Sequence, residues 1–301
     1  MQIKTVSIIG LGALGIMYAD HFTKRLPKEN VSIIADQERI DRYQSEGIYC
    51  NGERCDLHYV TPEEAVTPAD LIIFTVKYSG LSEAIDAVSN QVDKDTIILS
   101  ALNGISSEAE IGEVLGHEKV LYCVAQGMDA IKDRNQVTFQ NKGMLCFGEG
   151  NSEKIETVAH FFDQVELPYQ VVDDMIERQW GKFMLNVGVN QAVAVYQTNF
   201  QGVHEEGEAR NTMIAAMREV ITLSQKEGVY LTEADLYYWL DILSTLNPQG
   251  KPSLRQDTEA KRYSEVELFS GTVIRLGEKH GIPTPVNQYL YQQITDMEKQ
   301  Y

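Results

Sequence analysis

The sequence predicts an α/β domain built on a parallel sheet, followed by an all-α domain. In the first half of the chain, short apolar and β-branched runs alternate with amphipathic stretches, which is typical of repeated βαβ units. After Val172 the strand pattern ends and long helical periodicity begins. Because 301 residues exceed what one hydrophobic core usually contains, we assign two domains, 1–172 and 173–301.

The predicted strands of the first domain are Thr5–Ile9, Val31–Ala35, Leu71–Val76, Thr96–Leu99 and Val120–Val124. Their uniformly apolar character predicts burial on both faces of the sheet. Amphipathic stretches such as Ala13–Arg25 and Leu81–Val88 predict the connecting helices. Three later runs are closely spaced, so we expect hairpin strands that extend the sheet, at Gln136–Gln140, Met144–Phe147 and Tyr169–Val172.

The second domain is predicted to contain five helices. They cover Asp173–Tyr196, Glu205–Glu227, Glu233–Leu246, Asp257–His280 and a last stretch from about Pro285 to Lys299. Thr232 is the expected N-cap of the third helix. The aromatic side chains of Tyr237, Tyr238 and Trp239 either fill the core of this domain or pair two copies of the chain in a homodimer, and the sequence leaves both open.

Charge and composition restrict the partners. A formal net charge of −18 repels nucleic-acid phosphates and anionic membrane surfaces, so we expect neither as a partner. The four cysteines and six histidines show no metal-binding spacing, so no metal site is expected. The first residues form a strand rather than a secretory signal, and no apolar run reaches membrane-spanning length, so we expect a soluble, cytoplasmic protein.

A glycine-rich turn joins the first strand to the first helix. Its residues are Gly10, Leu11, Gly12, Ala13, Leu14 and Gly15. In the G-x-G-x-x-G pattern the first glycine makes the tight turn, the second admits a pyrophosphate, and the third allows close helix–strand packing. Amides at the helix N-terminus then bind the phosphates. This context predicts a Rossmann-type dinucleotide-binding domain, and the absence of any further flavin signal favours a nicotinamide cofactor.

Asp36 lies at the end of the second predicted strand. An acid at this position usually accepts hydrogen bonds from the adenosine ribose, which favours NAD over NADP. Two alternatives stay open. Asp36 can instead cap the following helix, and Arg39 nearby can receive the 2′-phosphate of NADP.

A lysine and two asparagines lie on one face of the first helix of the second domain. Lys182, Asn186 and Asn190 follow at intervals of four residues, so they fall within an arc of about 80°. The segment is otherwise largely apolar, and burying this polar face is unfavourable unless it meets polar partners such as a ligand. The alternative is that the lysine reaches solvent and the asparagines bond to neighbouring helices.

This polar face suits carbonyl reduction. Hydride addition builds negative charge on the carbonyl oxygen, which an ammonium group stabilises and protonates while amides position the substrate. Together with the glycine turn, the helix predicts an NAD(P)-dependent oxidoreductase.

These motifs resemble those of the ketopantoate reductase (2-dehydropantoate 2-reductase) family, and the resemblance extends over essentially the whole chain. The matching segments are the glycine turn, Thr75-Val76-Lys77, Leu102-Asn103-Gly104, the Lys182–Asn186–Asn190 helix, and Ser253 to Asp257 followed by Ser264-Glu265. On the residues alone, Lys77 is a surface lysine, Asn103 is turn chemistry, and Ser253 is an N-cap or loop hydroxyl.

The resemblance implies roles for these residues. It places Lys77 and Asn103 beside the cofactor, and it makes Lys182 the catalytic acid and Glu265 a second catalytic residue. The implied substrate-binding residues are Asn103, Asn186, Asn190 and Ser253. The implied reaction is NADPH-dependent reduction of a small 2-oxo acid, 2-dehydropantoate to D-pantoate, as in pantothenate biosynthesis.

The chain departs from the family pattern at two places. Asp36 stands where many members carry an arginine for the 2′-phosphate, which makes NADH an alternative cofactor. The stretch Gly250–Leu254 lacks the asparagine and one serine of the usual motif, so another 2-oxo acid is an alternative substrate. A β-hydroxyacid dehydrogenase and a non-catalytic NAD(P)-sensing protein are the other functions that the sequence leaves open.

Overall fold

The computed structural model describes residues 2–64 and 67–301. The chain divides into two compact units, one ending at Met175 and the other beginning at Ile176. The first unit is an α/β structure and the second is helical, so the predicted fold class is confirmed. None of the helices in the described ranges combines the length and apolar character that crossing a bilayer requires.

In residues 2–64 and 67–175, the first unit has two sheets and five complete α-helices. Its strands are β1 (Val6–Ile9), β2 (Val31–Ile34), β3 (Tyr49–Cys50), β4 (Glu53–Arg54), β5 (His58–Val60), β6 (Leu71–Phe74), β7 (Ile97–Ser100), β8 (Val120–Gln126), β9 (Ile131–Asp133), β10 (Gln136–Thr138), β11 (Met144–Gly148) and β12 (Tyr169–Val171). Its helices are α1 (Ala13–Thr23), α2 (Gln37–Glu46), α3 (Leu81–Val88), α4 (Ser107–Leu115) and α5 (Ser152–Gln164).

The main sheet has eight strands in the order β12-β11-β8-β7-β6-β1-β2-β5. All neighbouring strands are parallel except β8 and β11, which are antiparallel. Alternate residues of β1 enter different hydrophobic cores, with Val6 and Ile8 in one and Ile9 in the other. The apolar runs are therefore strands buried on both faces, as expected for a parallel sheet covered by helices.

Two of the three segments predicted as hairpin strands of the main sheet form strands, but each differs from the prediction in one respect. Gln136–Thr138 does not extend the main sheet but pairs with β3 and β9 in a separate four-stranded sheet, β4-β3-β10-β9. Tyr169–Val171 extends the main sheet as predicted, but it is not a hairpin strand, because α5 lies between it and β11 and the two strands are parallel. Asn151 caps α5 by accepting a hydrogen bond from the Lys154 amide, a start signal that strand spacing alone overlooks.

The helices of the second unit are α6 (Met175–Val195), α7 (Phe200–His204), α8 (Glu208–Lys226), α9 (Glu233–Ser244), α10 (Ser253–Glu259), α11 (Thr272–His280) and α12 (Pro285–Glu298). Helix α6 begins at the last residue of the first unit. Thr232 caps α9 as predicted, and its amide and hydroxyl both donate to the Asp235 carboxylate. Trp239 is buried, whereas Tyr237 and Tyr238 are exposed.

The predicted continuous helix Asp257–His280 is wrong. Helix α10 ends at Glu259, and Lys261 adopts φ +52°, a left-handed conformation that a helix cannot continue through. The chain resumes with a π-helical turn at Glu267–Gly271 before α11. Amphipathic periodicity continues through this break, so the pattern alone did not reveal it.

His21 is a buried group with an acid-sensitive environment in the first unit. Its Nε2 lies 2.8 Å from the carbonyl oxygen of Val165, and its Nδ1 lies 2.6 Å from the Lys142 ammonium. Burial, reinforced by the nearby cations Lys142 and Arg25, lowers the pKa of His21 to about 4. The folded state therefore holds the imidazole neutral, with Nδ1 accepting from Lys142.

We expect acid to destabilise the protein through His21. The unfolded imidazole binds a proton below its ordinary pKa of about 6.5, whereas the folded one does so only near 4, so the free energy of unfolding falls across that window and then levels. The loss is on the order of 3 kcal/mol. Urea unfolding of wild type and His21→Gln between pH 7 and pH 4 measures it, with exposed His160→Gln as the control. Identical pH slopes in all three proteins would contradict this assignment.

Candidate active site

The glycine turn, Lys77 and Asn103 lie at one edge of the main sheet. Strands β1, β6 and β7 end level with one another, because their last residues are paired in register. The glycine turn follows β1, Lys77 follows β6 and Asn103 follows β7. Strand order also reverses between β1 and β6, and ligands of open α/β sheets bind outside the carboxyl ends of the strands at such a point. Lys77 is exposed there and Asn103 is half-buried.

Two glycines of the turn are required by the packing of the protein itself. Gly10 has φ +97°, and a Cβ there would lie 2.7 Å from the Val76 amide nitrogen. A Cβ on Gly15 would lie 1.9 Å from the carbonyl oxygen of Gly10. The Thr75 hydroxyl donates to that same oxygen at 2.6 Å. The glycine turn therefore packs directly against Thr75 and Val76, which follow the carboxyl end of β6.

Gly12 is different, because none of the residues that the structure describes crowds it. A Cβ at Gly12 would meet only the Thr75 carbonyl oxygen, at an ordinary contact distance of 3.4 Å. Gly12 is the N-cap of α1, no side chain caps this helix, and its first turn carries no acid. The helix N-terminus thus presents backbone amides to an approaching anion, and the residues present fit a dinucleotide pyrophosphate.

Asp36 has a structural task at the start of α2. Its carboxylate accepts a hydrogen bond from the Arg39 amide at 2.7 Å and so caps the helix. The Arg39 guanidinium lies 3.1 Å from the same carboxylate and 2.9 Å from Glu83. The hydrogen bond to Glu83 raises the pKa of Arg39, with Asp36 reinforcing it. The guanidinium therefore already has two carboxylate partners, which weakens the expectation that Arg39 receives a 2′-phosphate.

A chain of buried polar groups lies behind the Asn103 turn. The Leu102 amide donates to the Ser100 hydroxyl at 3.4 Å, and that hydroxyl lies 2.8 Å from the hydroxyl of Ser107. Ser107 in turn donates to the Glu108 carboxylate at 2.9 Å, and Glu108 is only 3% exposed. Sequence reasoning missed this support for Asn103. The available signal was an acid in the first turn of the helix that directly follows the turn.

In the second unit, two glycines fix the orientation of α6. A Cβ on Gly181 would lie 2.1 Å from the indole nitrogen of Trp239 in α9. A Cβ on Gly188 would lie 2.5 Å from Met217 and 2.9 Å from the carbonyl oxygen of Met213, both in α8. These glycines are seven residues apart and share one face, so α8 and α9 approach α6 on that side.

The lysine–asparagine face points away from this glycine face. At about 100° per residue, Lys182, Asn186 and Asn190 are centred roughly 150° from Gly181 and Gly188. Lys182 and Asn186 are half-buried, and Asn190 is 7% exposed. The structure therefore brings these three side chains together on one face of α6, as their spacing predicted.

Ser253 and Glu265 lie on either side of the break after α10. Ser253 is the exposed first residue of α10 and follows Pro252. Glu265 is half-buried just before the π-helical turn. The preceding residue, Ser264, donates to the Glu298 carboxylate through its amide at 2.8 Å and its hydroxyl at 2.6 Å. Glu298 thus holds the segment that carries Glu265, a role that its position in α12 did not signal.

Two family models match the chain. The model described as ketopantoate reductase PanE/ApbA covers residues 6–152, and that of the ketopantoate reductase PanE/ApbA C terminal covers residues 174–298. The chain belongs to the ketopantoate reductase family. Membership makes it an oxidoreductase that acts on CH–OH groups and their carbonyl counterparts, as the sequence predicted.

Curated relatives and solved structures agree with this family. The 2-dehydropantoate 2-reductase of Vibrio cholerae is 24% identical over 98% of each chain, and that of Aquifex aeolicus is 24% identical over 97% and 96%. A PanE/ApbA family ketopantoate reductase from Ralstonia eutropha superposes with a TM-score of 0.84 at 23% identity, covering 98% and 99%. D-mandelate dehydrogenase, solved with NADH and anilino(oxo)acetate, superposes with a TM-score of 0.86 at 19% identity and the same coverage.

Alanine substitutions at Gly15 and Gly12 are expected to change different properties, stability at Gly15 and cofactor affinity at Gly12. We expect Gly15→Ala to lower the melting temperature, because its Cβ overlaps backbone. Gly12→Ala is expected to keep the wild-type melting temperature but to raise the dissociation constant for NADH by about tenfold or more, a loss of ~1.4 kcal/mol, because its Cβ fills space reserved for phosphate. Calorimetry and fluorescence titration measure both effects. Unchanged NADH affinity in a folded Gly12→Ala variant would contradict the assignment of Gly12.

Proposed function

We propose that this protein reduces a 2-oxo acid, first of all 2-dehydropantoate, to the corresponding D-2-hydroxy acid. The cofactor is a nicotinamide dinucleotide bound by the domain at 1–172, and the domain at 173–301 supplies the catalytic groups. The observation that carries this proposal is the Lys182–Asn186–Asn190 face, kept clear of α8 and α9 by the glycines on the other side of α6. The names of the curated relatives support the substrate.

Within this proposal the chain's own residues act on the substrate oxygen atoms. A nicotinamide dinucleotide held at the glycine turn would supply the hydride for the carbonyl carbon and would leave the reaction in its oxidised form. The ammonium group of Lys182 stabilises the negative charge that develops on the carbonyl oxygen and gives it a proton, which completes the hydroxyl group. Asn186 and Asn190 position the lysine and the substrate.

The remaining site residues bind the substrate and the cofactor. Asn103 is proposed to lie between the nicotinamide and the substrate, and Lys77 beside the cofactor. The hydroxyl of Ser253 is proposed to bind the substrate carboxylate, and Glu265 to bind the substrate's other oxygen functions. Glu265 is well placed for directional binding because Glu298 holds the residue before it.

A second candidate function is reduction of a different 2-oxo acid. The motif around Ser253 has Gly250 and Pro252 in place of the family's usual asparagine and first serine. It also adds Lys251, which forms a 2.7 Å ion pair with Glu259. The D-mandelate dehydrogenase likeness supports this alternative, since anilino(oxo)acetate also carries a carboxylate next to a carbonyl. Assay of a panel of 2-oxo acids separates the two substrates.

The structure of the α2 start favours NADH as the preferred dinucleotide. Asp36 lies two residues beyond the end of β2, the strand that pairs with β1, and the Arg39 guanidinium beside it is already paired with Asp36 and Glu83. A carboxylate at this position accepts hydrogen bonds from ribose hydroxyls and repels a 2′-phosphate. We therefore propose NADH as the better ligand, in contrast to the NADPH preference that the family resemblance implies.

We expect Lys182→Ala to lower kcat by ~10²–10⁴-fold at saturating substrate, because proton transfer typically contributes this much. The dissociation constant for the cofactor should stay unchanged. Stopped-flow and steady-state assays with 2-dehydropantoate measure both, and Lys226→Ala, an exposed lysine at the end of α8, is the control. A decrease of less than tenfold would remove Lys182 as the acid. Cofactor binding without turnover of any 2-oxo acid would instead support the NAD(P)-sensing function.

We expect Asp36→Ser to shift the cofactor preference toward NADPH by at least about tenfold, since the substitution removes the repulsion of a 2′-phosphate. Serine is also a good N-cap, so the start of α2 should be preserved and the melting temperature should change little. Isothermal titration with NADH and NADPH measures the ratio of dissociation constants. A ratio that is the same in wild type and variant would show that Asp36 serves only as a helix cap.

A further inference from the structure

Lys132 connects the second sheet to the glycine turn. It lies in strand β9, and its ammonium donates a hydrogen bond to the carbonyl oxygen of Leu11. Leu11 is the residue between Gly10 and Gly12, and it is buried. A side chain of the second sheet therefore contacts Leu11, the residue that separates the first two glycines of the turn.

This bond restrains a segment that has little restraint of its own. Glycine has the widest backbone freedom of any residue, so Gly10-Leu11-Gly12 has many conformations available before folding. The peptide unit is planar and trans, so fixing the direction of the Leu11 carbonyl also fixes the direction of the Gly12 amide on its other side. The Lys132 ammonium thus determines how this part of the turn faces a ligand.

In the part of the chain that the structure describes, no carboxylate pairs with the Lys132 ammonium group. Among residues 2–64 and 67–301, its hydrogen bond is to a neutral carbonyl, and it forms no ion pair. Several other cations of the same unit are paired with carboxylates, such as Lys24 with Asp20 and Glu53. Burial and the nearby Arg42 lower the pKa of Lys132. Among the described residues, no negative charge offsets these two effects on the ammonium group.

From this geometry we propose that Lys132 is a cofactor-positioning residue, which fixes the phosphate-binding turn and supplies a positive charge to the pyrophosphate of the dinucleotide. The inference rests on the proposed function, because it presumes that the glycine turn binds a dinucleotide. An anion at this turn would supply the missing countercharge for Lys132. In a chain with a net charge of −18, such a local cation offsets the repulsion that a dinucleotide otherwise meets.

The test compares Lys132→Met and Lys132→Arg with wild type. Lys154→Met is the matched control, because the Lys154 ammonium is also partly buried and also donates to a backbone carbonyl, that of Glu118, at 2.8 Å. Dissociation constants for NADH, NADPH and ADP-ribose are measured by titration between 20 mM and about 300 mM salt, a range over which screening becomes strong. Melting temperatures and steady-state constants are measured on the same preparations.

We expect Lys132→Met to raise the dissociation constants of all three ligands by about tenfold at low salt, because each ligand carries the pyrophosphate. The dependence of these constants on salt should become weaker. The KM for the cofactor should rise while kcat at saturating cofactor stays unchanged. Lys132→Arg should restore affinity and salt dependence, and Lys154→Met should behave as wild type.

Three outcomes would overturn the inference. The first is a lower melting temperature in Lys132→Met with unchanged affinity and salt dependence, which marks a purely structural contact. The second is a loss confined to NADPH, which places the charge at the 2′-phosphate. The third is an equal loss in Lys154→Met. Failure of the proposed function is separate. Wild type that binds the three ligands without turnover of any 2-oxo acid would contradict the proposed reaction but not the role of Lys132, whereas wild type that binds none of them would contradict both.

Discussion

Close contact between the glycine turn and the residues at the carboxyl end of β6 is the constraint on which the candidate site of the first unit depends. Gly15 approaches the carbonyl oxygen of Gly10 so closely that no side chain fits, and the Thr75 hydroxyl donates a hydrogen bond to the same oxygen. The register of β1, β6 and β7 then sets Lys77 and Asn103 level with the turn. A helix N-terminus that is uncapped by side chains follows directly, so backbone packing decides the position of the proposed phosphate site.

The second unit uses glycine for a related purpose. Gly181 and Gly188 let α8 and α9 approach α6 on one side, and the tight packing leaves no rotational freedom about the helix axis. The polar face that carries Lys182 is thereby turned away from these neighbours. In both units, the residues that do the proposed chemistry are small in number, and glycines elsewhere in the motif decide where they point.

The sequence predicted the features that depend on local pattern. Apolar runs, the glycine fingerprint, the four-residue spacing on α6 and the Thr232 cap each follow from the geometry of a strand or helix. The features that were missed depend on contacts distant in sequence. The left-handed Lys261 that ends α10, the Glu298 carboxylate beneath Ser264 and the Lys132 bond to Leu11 join segments that no short window connects. Asp36 shows an intermediate case, because the sequence already offered the helix cap as an alternative to ribose binding, whereas the pairing with Arg39 became visible only in three dimensions.

Support of Ser264 by Glu298 has a thermal consequence. Glu298 lies in the last turn of α12, and the ends of helices open locally at a lower free energy than the rest of a protein. Each such opening would release the segment that carries Glu265 while the hydrophobic core remains intact. Warming would therefore erode the alignment of that carboxylate well before cooperative melting. With the proposed role of Glu265, the temperature optimum of turnover would be coupled to fraying at one helix terminus.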